Sequence, residues 1–362
     1  MMKVVIIGGG IAGLCMGIYL QRNGVEVSVN ERVMGQHGGG HAFLMHNEGM
    51  SILKALQTEQ AVLPGKLVDT FVFMRPDGEV VNILSLEEWQ CFKRTDLTAY
   101  LSRLMDAGKL YDQRNFSHFI YKDSRIVAAA FLNGEIEYGD LFIGADGANS
   151  VVRKQVFGEV KFEPGGVKEI VGVVEHPGMA EAYAGKFTKF QESTIGLAFG
   201  LIPTTATELV WYMQYDPVML GDIEIQSPEE LKNFCLALLK GFPAPVMEIL
   251  RCNDFSKSYV WNTRDFDPLP SFHHENVVLI GDAAHLALPF TSAGTTNAMV
   301  DAKVLAKCLS EENDYAAAFK RYYKKRAPQV AAHVLLGRQL RDSFLGKGEP
   351  GFAMPLISDQ SE

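Results

Sequence analysis

The run Val4-Val5-Ile6-Ile7-Gly8-Gly9-Gly10-Ile11-Ala12-Gly13-Leu14 leaves this chain few ways to fold. Val4 to Ile7 are all β-branched and apolar, and the run is too brief for a helix, so it reads as a short, fully buried strand. Gly8, Gly10 and Gly13 follow with G-x-G-x-x-G spacing, and Leu14 to Leu20 continues at helical spacing until Gly24 stops it. In such a strand–turn–helix unit the first glycine permits the tight turn and the second lets a pyrophosphate reach the backbone. The third lets helix and strand pack closely. Unpaired N–H groups around Ala12, at the start of the helix, then point at the phosphates with the helix dipole behind them. A second strand, Val25 to Asn30, ends at Glu31, about 20 residues beyond the glycines, where a carboxylate accepts hydrogen bonds from an adenosine ribose. The motif points to a dinucleotide. FAD and NAD both carry an ADP half with a free 2′-hydroxyl, and Glu31 suits either.

Composition narrows the setting. A chain of 362 residues holds two domains, or one with a large insertion, and its net charge of −9 argues against nucleic acid or an anionic membrane surface as main partner. The five cysteines lie far apart with no C-x-x-C pair, the pattern of reduced cytosolic thiols, so a cytoplasmic location is expected. No apolar run reaches membrane-spanning length. Gly35 to His41 is a glycine-rich loop with His37 and His41, and His46 follows. Their spacing matches no common zinc pattern, so no metal is expected. Bare glycine backbone that can lie against a flat ligand is the stronger reading.

Further along, Met50 to Leu56 reads as a short amphipathic helix. Phe71–Met74 and Glu79–Leu84 read as a hairpin around Arg75-Pro76-Asp77-Gly78. Arg94 precedes a helix for which Thr95 is a plausible N-cap; from spacing alone Arg94 is equally a surface side chain. Leu110 to Ile136 reads as antiparallel strands with a turn at Asn133-Gly134. Leu141-Phe142-Ile143 is a buried strand leading through Gly144-Ala145-Asp146-Gly147 to a helix that Ser150 can cap. From Gly165 to Arg264 the texture is strand-like and aromatic, with one helix from Pro228 to Leu239. Between Gly166 and Arg264 eight Lys/Arg stand against twelve Asp/Glu, so no basic cradle for a polyanion appears. This part reads as a β-sheet domain over an apolar pocket. Asn276–Ile280 is then another buried strand, running into Gly281-Asp282-Ala283-Ala284-His285, Pro289 and Gly294. A helix from about Thr295 to Leu309 follows, with Ala298, Ala302, Leu305, Ala306 and Leu309 on its buried face. Tyr315–Arg326 and Pro328–Arg341 read as two more helices, and residues 346–362 as a tail.

The N-terminal glycine motif with Glu31-Arg32, the Gly144–Gly147 turn, and Gly281-Asp282-Ala283-Ala284-His285 with Pro289 and Gly294 together resemble the single-component FAD-dependent aromatic monooxygenases. These are the enzymes of the para-hydroxybenzoate hydroxylase fold, the tetracycline-degrading monooxygenases among them. The resemblance implies an α/β protein whose Rossmann-like FAD-binding domain, of the glutathione-reductase type, spans residues 1–70, 94–165 and 265–345. A β-sheet substrate domain is interleaved at 71–93 and 166–264. It implies that Glu31 holds the adenosine ribose and that Arg94 contacts the phosphate–ribitol region. Asp146 and Gly147 lie in a turn serving both FAD and the nicotinamide cofactor, and Asp282 binds the ribitol–pyrophosphate region. Pro289 sits beside the isoalloxazine ring, and the helix opening at Gly294-Thr295 points its N–H groups at the flavin N1–C2 edge. The implied reaction is NADPH- or NADH-driven oxygenation of an aromatic or polyketide-like molecule by dioxygen through a flavin C4a-hydroperoxide, in a monomer or dimer.

Departures from the pattern are Ser292-Ala293 before Gly294, and Thr296 where asparagine is usual. A flavin-dependent halogenase shares the fold, but its W-x-W-x-I-P signature is missing around Trp211-Tyr212-Met213. The motifs also leave room for an oxygen-independent FAD reductase and for a non-catalytic FAD-binding protein. For a substrate-side base, His37, His41, Tyr212 and Gln214 are candidates by residue type.

Overall fold

The computed structural model describes residues 2–35, 42–58, 62–192, 194–222, 224 and 227–347. Strand β1 (Lys3–Ile7) runs into helix α1 (Ile11–Arg22), and β2 (Glu26–Asn30) pairs parallel to β1. Gly8 makes the turn at φ 108°, and a Cβ there would lie 2.3 Å from the Ala145 carbonyl oxygen. A Cβ on Gly13 would lie 1.9 Å from the Gly8 oxygen, a helix–strand approach that only glycine permits.

The chain continues through β3 (Ala42–Met45), α2 (Asn47–Leu56) and the hairpin β4 (Lys66–Met74) and β5 (Val80–Ser85). Next come β6 (Gln90–Lys93), α3 (Arg94–Arg103) and β7 (Leu110–Tyr111). An antiparallel unit of β8 (Phe116–Lys122), β9 (Arg125–Phe131) and β10 (Ile136–Tyr138) turns at Asn133-Gly134, with Gly134 at φ 87°. After β11 (Leu141–Gly144) and α4 (Val151–Phe157) come β12 (Glu163–Glu175), α5 (Pro177–Ala182), β13 (Gly185–Glu192), β14 (Leu197–Pro203) and β15 (Glu208–Tyr215). Helices α6 (Pro217–Leu220), α7 (Pro228–Leu238) and α8 (Ala244–Cys252) lead to β16 (Tyr259–Asp265). The chain ends in β17 (His273–His274), β18 (Val277–Leu279), α9 (Gly294–Glu311) and α10 (Tyr315–Phe344).

Among the described residues two large sheets dominate. The first has the order β17-β18-β11-β1-β2-β7 and is parallel except at β17. Its central strands are buried on both faces, which is why they read as unbroken apolar runs. Helices α1 and α9 belong to its core, and Phe119 meets Phe142 edge-on at 5.4 Å to dock the small antiparallel unit on it. The second sheet has nine strands, β16-β12-β15-β14-β13-β4-β6-β3 with β5 on β4. Alternate residues of its strands, among them Phe199, Leu201, Trp211 and Met213, pack with Leu231 and Cys235 of α7 and Val246 and Ile249 of α8. Their neighbours face the other way. No helix among the described residues is long and apolar enough to cross a membrane.

Several sequence expectations change. Thr95 is not the N-cap of α3: β6 passes directly into the helix, the cap falls on Lys93, and the Thr95 hydroxyl bonds Asp96 at 3.2 Å. The two C-terminal helices are one, α10, with Pro328 inside it. Proline removes one helical bond there, but Tyr322, Arg326, Val330 and Val334, buried on either side, hold the helix together. Leu110–Tyr111 pairs parallel with β2 and is not part of the antiparallel unit. Leu309 is only partly buried, while α9 buries Met299 and Asp301 instead. Helix α8 went unread because Pro243 and Pro245 look like breakers, although proline is well tolerated in a first helical turn.

Candidate active site

The carboxyl ends of β1, β2, β11 and β18 open onto one cavity of about 980 Å³, where the strand-end rule for open α/β sheets places ligands. Its lining includes Gly8, Gly10 and Ala12 from the first turn, Glu31 and Arg32 after β2, Asp146 and Gly147 after β11, and Asp282 after β18. Arg94, Pro289, Gly294 and Thr295 line it as well, whereas Gly13 lies behind the turn as a packing residue. Three loops distant in sequence therefore share one groove. His37 and His41 lie outside the described residues.

The turns are built in two ways. Some carboxylates are already engaged. Glu31 accepts from the Gly9 N–H at 2.6 Å and the Val33 N–H at 3.1 Å. Asp146 accepts from the Ser150 hydroxyl at 2.5 Å and from Val151 and Val152 N–H at 2.8 and 3.1 Å, closing the start of α4 with Ser150 as its N-cap. Burial pushes the Asp146 pKa up, against these hydrogen bonds. Other groups are left open toward the cavity. Helices α1 and α9 begin at Gly10 and Ala293 with no side-chain cap, and a Cβ on Gly10 or Gly294 would meet nothing within 4 Å. Unpaired helix-start N–H groups facing open space are an anion site. The side chains of Arg94 and Asp282 hydrogen-bond no other described residue. Burial raises the Asp282 pKa, and the nearby Arg94 guanidinium draws it back. Glycine cradle, open helix starts, free guanidinium and free carboxylate together fit the charged middle of an extended dinucleotide such as FAD.

A second layer, invisible in the motifs, holds these turns. Buried Arg153 donates to the carbonyls of Asp282 (3.2 Å), Ala283 (3.1 Å) and Ala148 (2.7 Å) and lies over the Phe266 ring, tying two turns together. Asp301, fully buried on α9, accepts from the Gly281 N–H at 2.8 Å, contacts His285 Nε2 at 2.7 Å and accepts from Arg326 Nε at 2.6 Å. Burial opposes its ionisation, but His285 and Arg326 outweigh that and hold its pKa at about 2. Arg326 continues to Asn297 Oδ1 at 2.8 Å, Asn297 to His333 Nδ1 at 3.2 Å, and His333 Nε2 to the Thr291 hydroxyl at 2.5 Å. From the other side, His46 stacks on Trp89 at 4.2 Å and bonds the Ser292 carbonyl at 3.1 Å. Ser292, one of the departures noted in the sequence, sits in left-handed backbone at φ 51°. Thr296, the other, is buried and bonds Met45 Sδ at 3.4 Å.

The opposite wall is the free face of the nine-stranded sheet. Strand register sorts it into rows. Trp261, Glu169, Gln214 and Gln191 form a polar row, bridged at β14 by Ala198. Next come Tyr259, Val171, Tyr212, Gly200, Lys189 and Phe73, and beyond them the apolar Val210, Ile202, Phe187 and Phe71. Gln214 donates to Glu169 Oε2 at 2.7 Å, and Trp261 Nε1 to Oε1 at 3.1 Å. Burial raises the Glu169 pKa and lowers that of Lys189 to about 8, each charge partly offsetting the other's shift. Of this wall, sequence reading singled out Tyr212 and Gln214 and missed Glu169 and Lys189. Only the alternation of β12 and β13 carried that signal.

Comparison with known proteins agrees. The family described as "FAD binding domain" matches residues 1–335. Aurachin C monooxygenase/isomerase of Stigmatella aurantiaca is 26% identical over 97% of this chain and 91% of its own. The solved structure of Klebsiella pneumoniae HpxO complexed with FAD and uric acid superposes with a TM-score of 0.84 at 23% identity, covering 96% of this chain and 89% of that one. Tetracycline destructase Tet(51) gives a TM-score of 0.72 at 22% identity, covering 95% and 91%. Motifs, glycine cradle and family match converge: the chain belongs to the FAD binding domain family and is a flavoprotein monooxygenase with FAD as its cofactor.

Proposed function

We propose that this enzyme uses NADPH or NADH to insert one atom of dioxygen into a planar aromatic or polycyclic small molecule. One observation carries the reading: the nucleotide-binding turns and the amphipathic sheet face line the same cavity. In this reading the start of α1 takes the pyrophosphate and Glu31 the adenosine ribose. Arg94 and Asp282 hold the phosphate–ribitol stretch, and Pro289 with the start of α9 meets the ring edge. Asp146-Gly147 lies where a nicotinamide cofactor would also be met. Residues 71–93 and 166–264 form the substrate side, joined in its sheet by β3 and the start of β4, which the sequence boundaries leave on the FAD side, and the remainder to 345 forms the FAD side. Bound FAD supplies the activation of oxygen. The protein orients the substrate, stabilises charge at the ring edge and excludes water.

Similar proteins bear names that point the same way: one is a 3-hydroxybenzoate 6-hydroxylase, 26% identical over 96% of this chain. The halogenase reading loses support because Trp211 lies on the helix-covered face, fully buried and bonded to Asn253 Oδ1 at 2.9 Å. The test is to purify the protein, record its visible spectrum and screen phenols, indoles and quinolones for stimulated NADPH consumption, with mass spectrometry of products. A product heavier by one oxygen supports the reading. A yellow protein that consumes NADPH equally with and without every candidate, forming only hydrogen peroxide, overturns it for these classes.

A further inference from the structure

The cavity's sheet wall carries two opposite charges that do not meet. Lys189 on β13 and Glu169 on β12 both line the cavity, yet among the described residues no ion pair joins them. The Lys189 ammonium makes no hydrogen bond there and lies 5.9 Å from the centre of the Phe344 ring. Lys189 is part-buried on the cavity wall, and Glu169 attracts its charge without pairing with it, which leaves the ammonium open to an anionic group in the cavity. Glu169 is differently placed. Each of its oxygens takes one donor, from Gln214 and Trp261, and each retains a further acceptor site. The surface between them is flat by construction. Gly200 stands opposite both Lys189 and Tyr212, and a Cβ there would lie 2.2 Å from the Tyr212 ring, so that ring lies across the bare glycine beside the lysine. Phe187, Ile202 and Val210 continue the surface as hydrocarbon.

We propose that Lys189 and Glu169 are the two poles of a substrate subsite that selects flat ring compounds bearing an acidic hydroxyl with a second hydrogen-bond donor close by. The compound binds as its anion, the hydroxyl proton having gone to solvent. Its charged oxygen meets Lys189, its remaining O–H or N–H donates to Glu169, the ring lies on Tyr212, and apolar substituents point toward Phe187 and Val210. This rests on the reading that the sheet face receives substrate, and it names which substrates that face accepts.

Calorimetric titration of the FAD-loaded protein with a hydroxyquinolone and with its O-methyl ether tests it. The ether keeps the ring and the second donor, adds one methyl group and removes the acidic proton, and Lys189→Met separates the effect of the methyl from that of the charge. Expected is about tenfold or greater preference for the hydroxyl compound. Lys189→Met removes that preference while leaving ether binding unchanged, and Lys189→Arg restores most of it. Glu169→Gln weakens the ether at least as much as the hydroxyl compound, because both keep the second donor and only the anion gains from the loss of a nearby negative charge. Equal binding of the two compounds by the wild type overturns the proposal, as does a Lys189→Met protein that keeps its FAD and loses affinity for both alike. Should Lys189→Met not hold FAD, the wild-type ratio and Lys189→Arg decide. Binding is read without turnover, so absence of any oxygenated product strikes the monooxygenase reading and not this one.

Discussion

The two large sheets build their halves of the cavity by opposite means. The parallel sheet offers the ends of its strands: turns, amide groups, and glycines whose missing side chains are the point. The nine-stranded sheet offers a face, and its polar and apolar rows exist only because six strands pair in one register. A site made of backbone depends on a few neighbouring residues. A site made of a sheet face depends on residues far apart in the chain, any one of which can change while its neighbours hold the surface. The first half is therefore brittle and the second tunable, and substitutions at each can break that contrast.

The largest effect is expected in the first turn. Gly13→Val forces side-chain atoms into the Gly8 carbonyl, 1.9 Å from where even a Cβ would stand, and should cost about 4 kcal/mol or more. Soluble expression and urea unfolding measure it. Gly10→Ala, three residues earlier, sharpens the point. Its Cβ enters open space at an unstrained φ of −72°, so stability should stay within about 0.5 kcal/mol while FAD affinity falls about tenfold. If Gly10→Ala binds FAD normally, the start of α1 is not where the pyrophosphate lies.

Next in size is the layer behind the turns. Asp301→Asn leaves Arg326 buried without a counter-charge and should destabilise by about 3–5 kcal/mol. If it is tolerated, the turns hold themselves, and the Asp301 network is ornament to a self-sufficient backbone site.

Much of the first half could be read from sequence, because each of its requirements is local. Gly8, Gly10, Gly13 and Glu31 fall within one strand–helix–strand unit, and Ser150 caps α4 as its position suggested. What could not be read lies in long-range pairing. Asp301 and Arg326 sit 25 residues apart on different helices, and neither helix pattern marks them as partners. Glu169 looks like any strand glutamate until β12 is set against β15 and β16. Thr95 misled because helix-start chemistry was read without knowing that a strand runs straight into the helix.

Acid should expose a smaller contribution at the junction of the two halves. Burial holds the pKa of His46 at about 4 and that of His333 at about 3, although His46's bond to the Ser292 carbonyl works the other way. Both rings are neutral in the folded protein, while the unfolded chain takes up protons near pH 6.5. The folded state thus binds fewer protons, and stability falls as pH drops from about 6.5 toward those values, with little change from these groups above it. His46→Gln, which can still donate to Ser292, should flatten that acid limb by roughly 2–3 kcal/mol near pH 4, read as urea midpoints against pH.

The smallest effect is expected on the open face. Burial raises the Tyr212 hydroxyl far above its ordinary range, with Glu169 adding to the shift, so near neutrality it stays protonated and cannot act as a base. Its ring is held by Gly200 beneath it, and its hydroxyl hydrogen-bonds no other described residue. Tyr212→Phe keeps the ring and should change stability by less than about 0.5 kcal/mol and ligand affinity by about threefold at most. The pH profile of ligand-stimulated NADPH oxidation should not move. Loss of a general acid or base would instead cost about a hundredfold or more in kcat and shift that profile. Such a result would make the sheet face a participant in proton transfer, and the division between a brittle backbone half and a tunable recognition half would no longer hold.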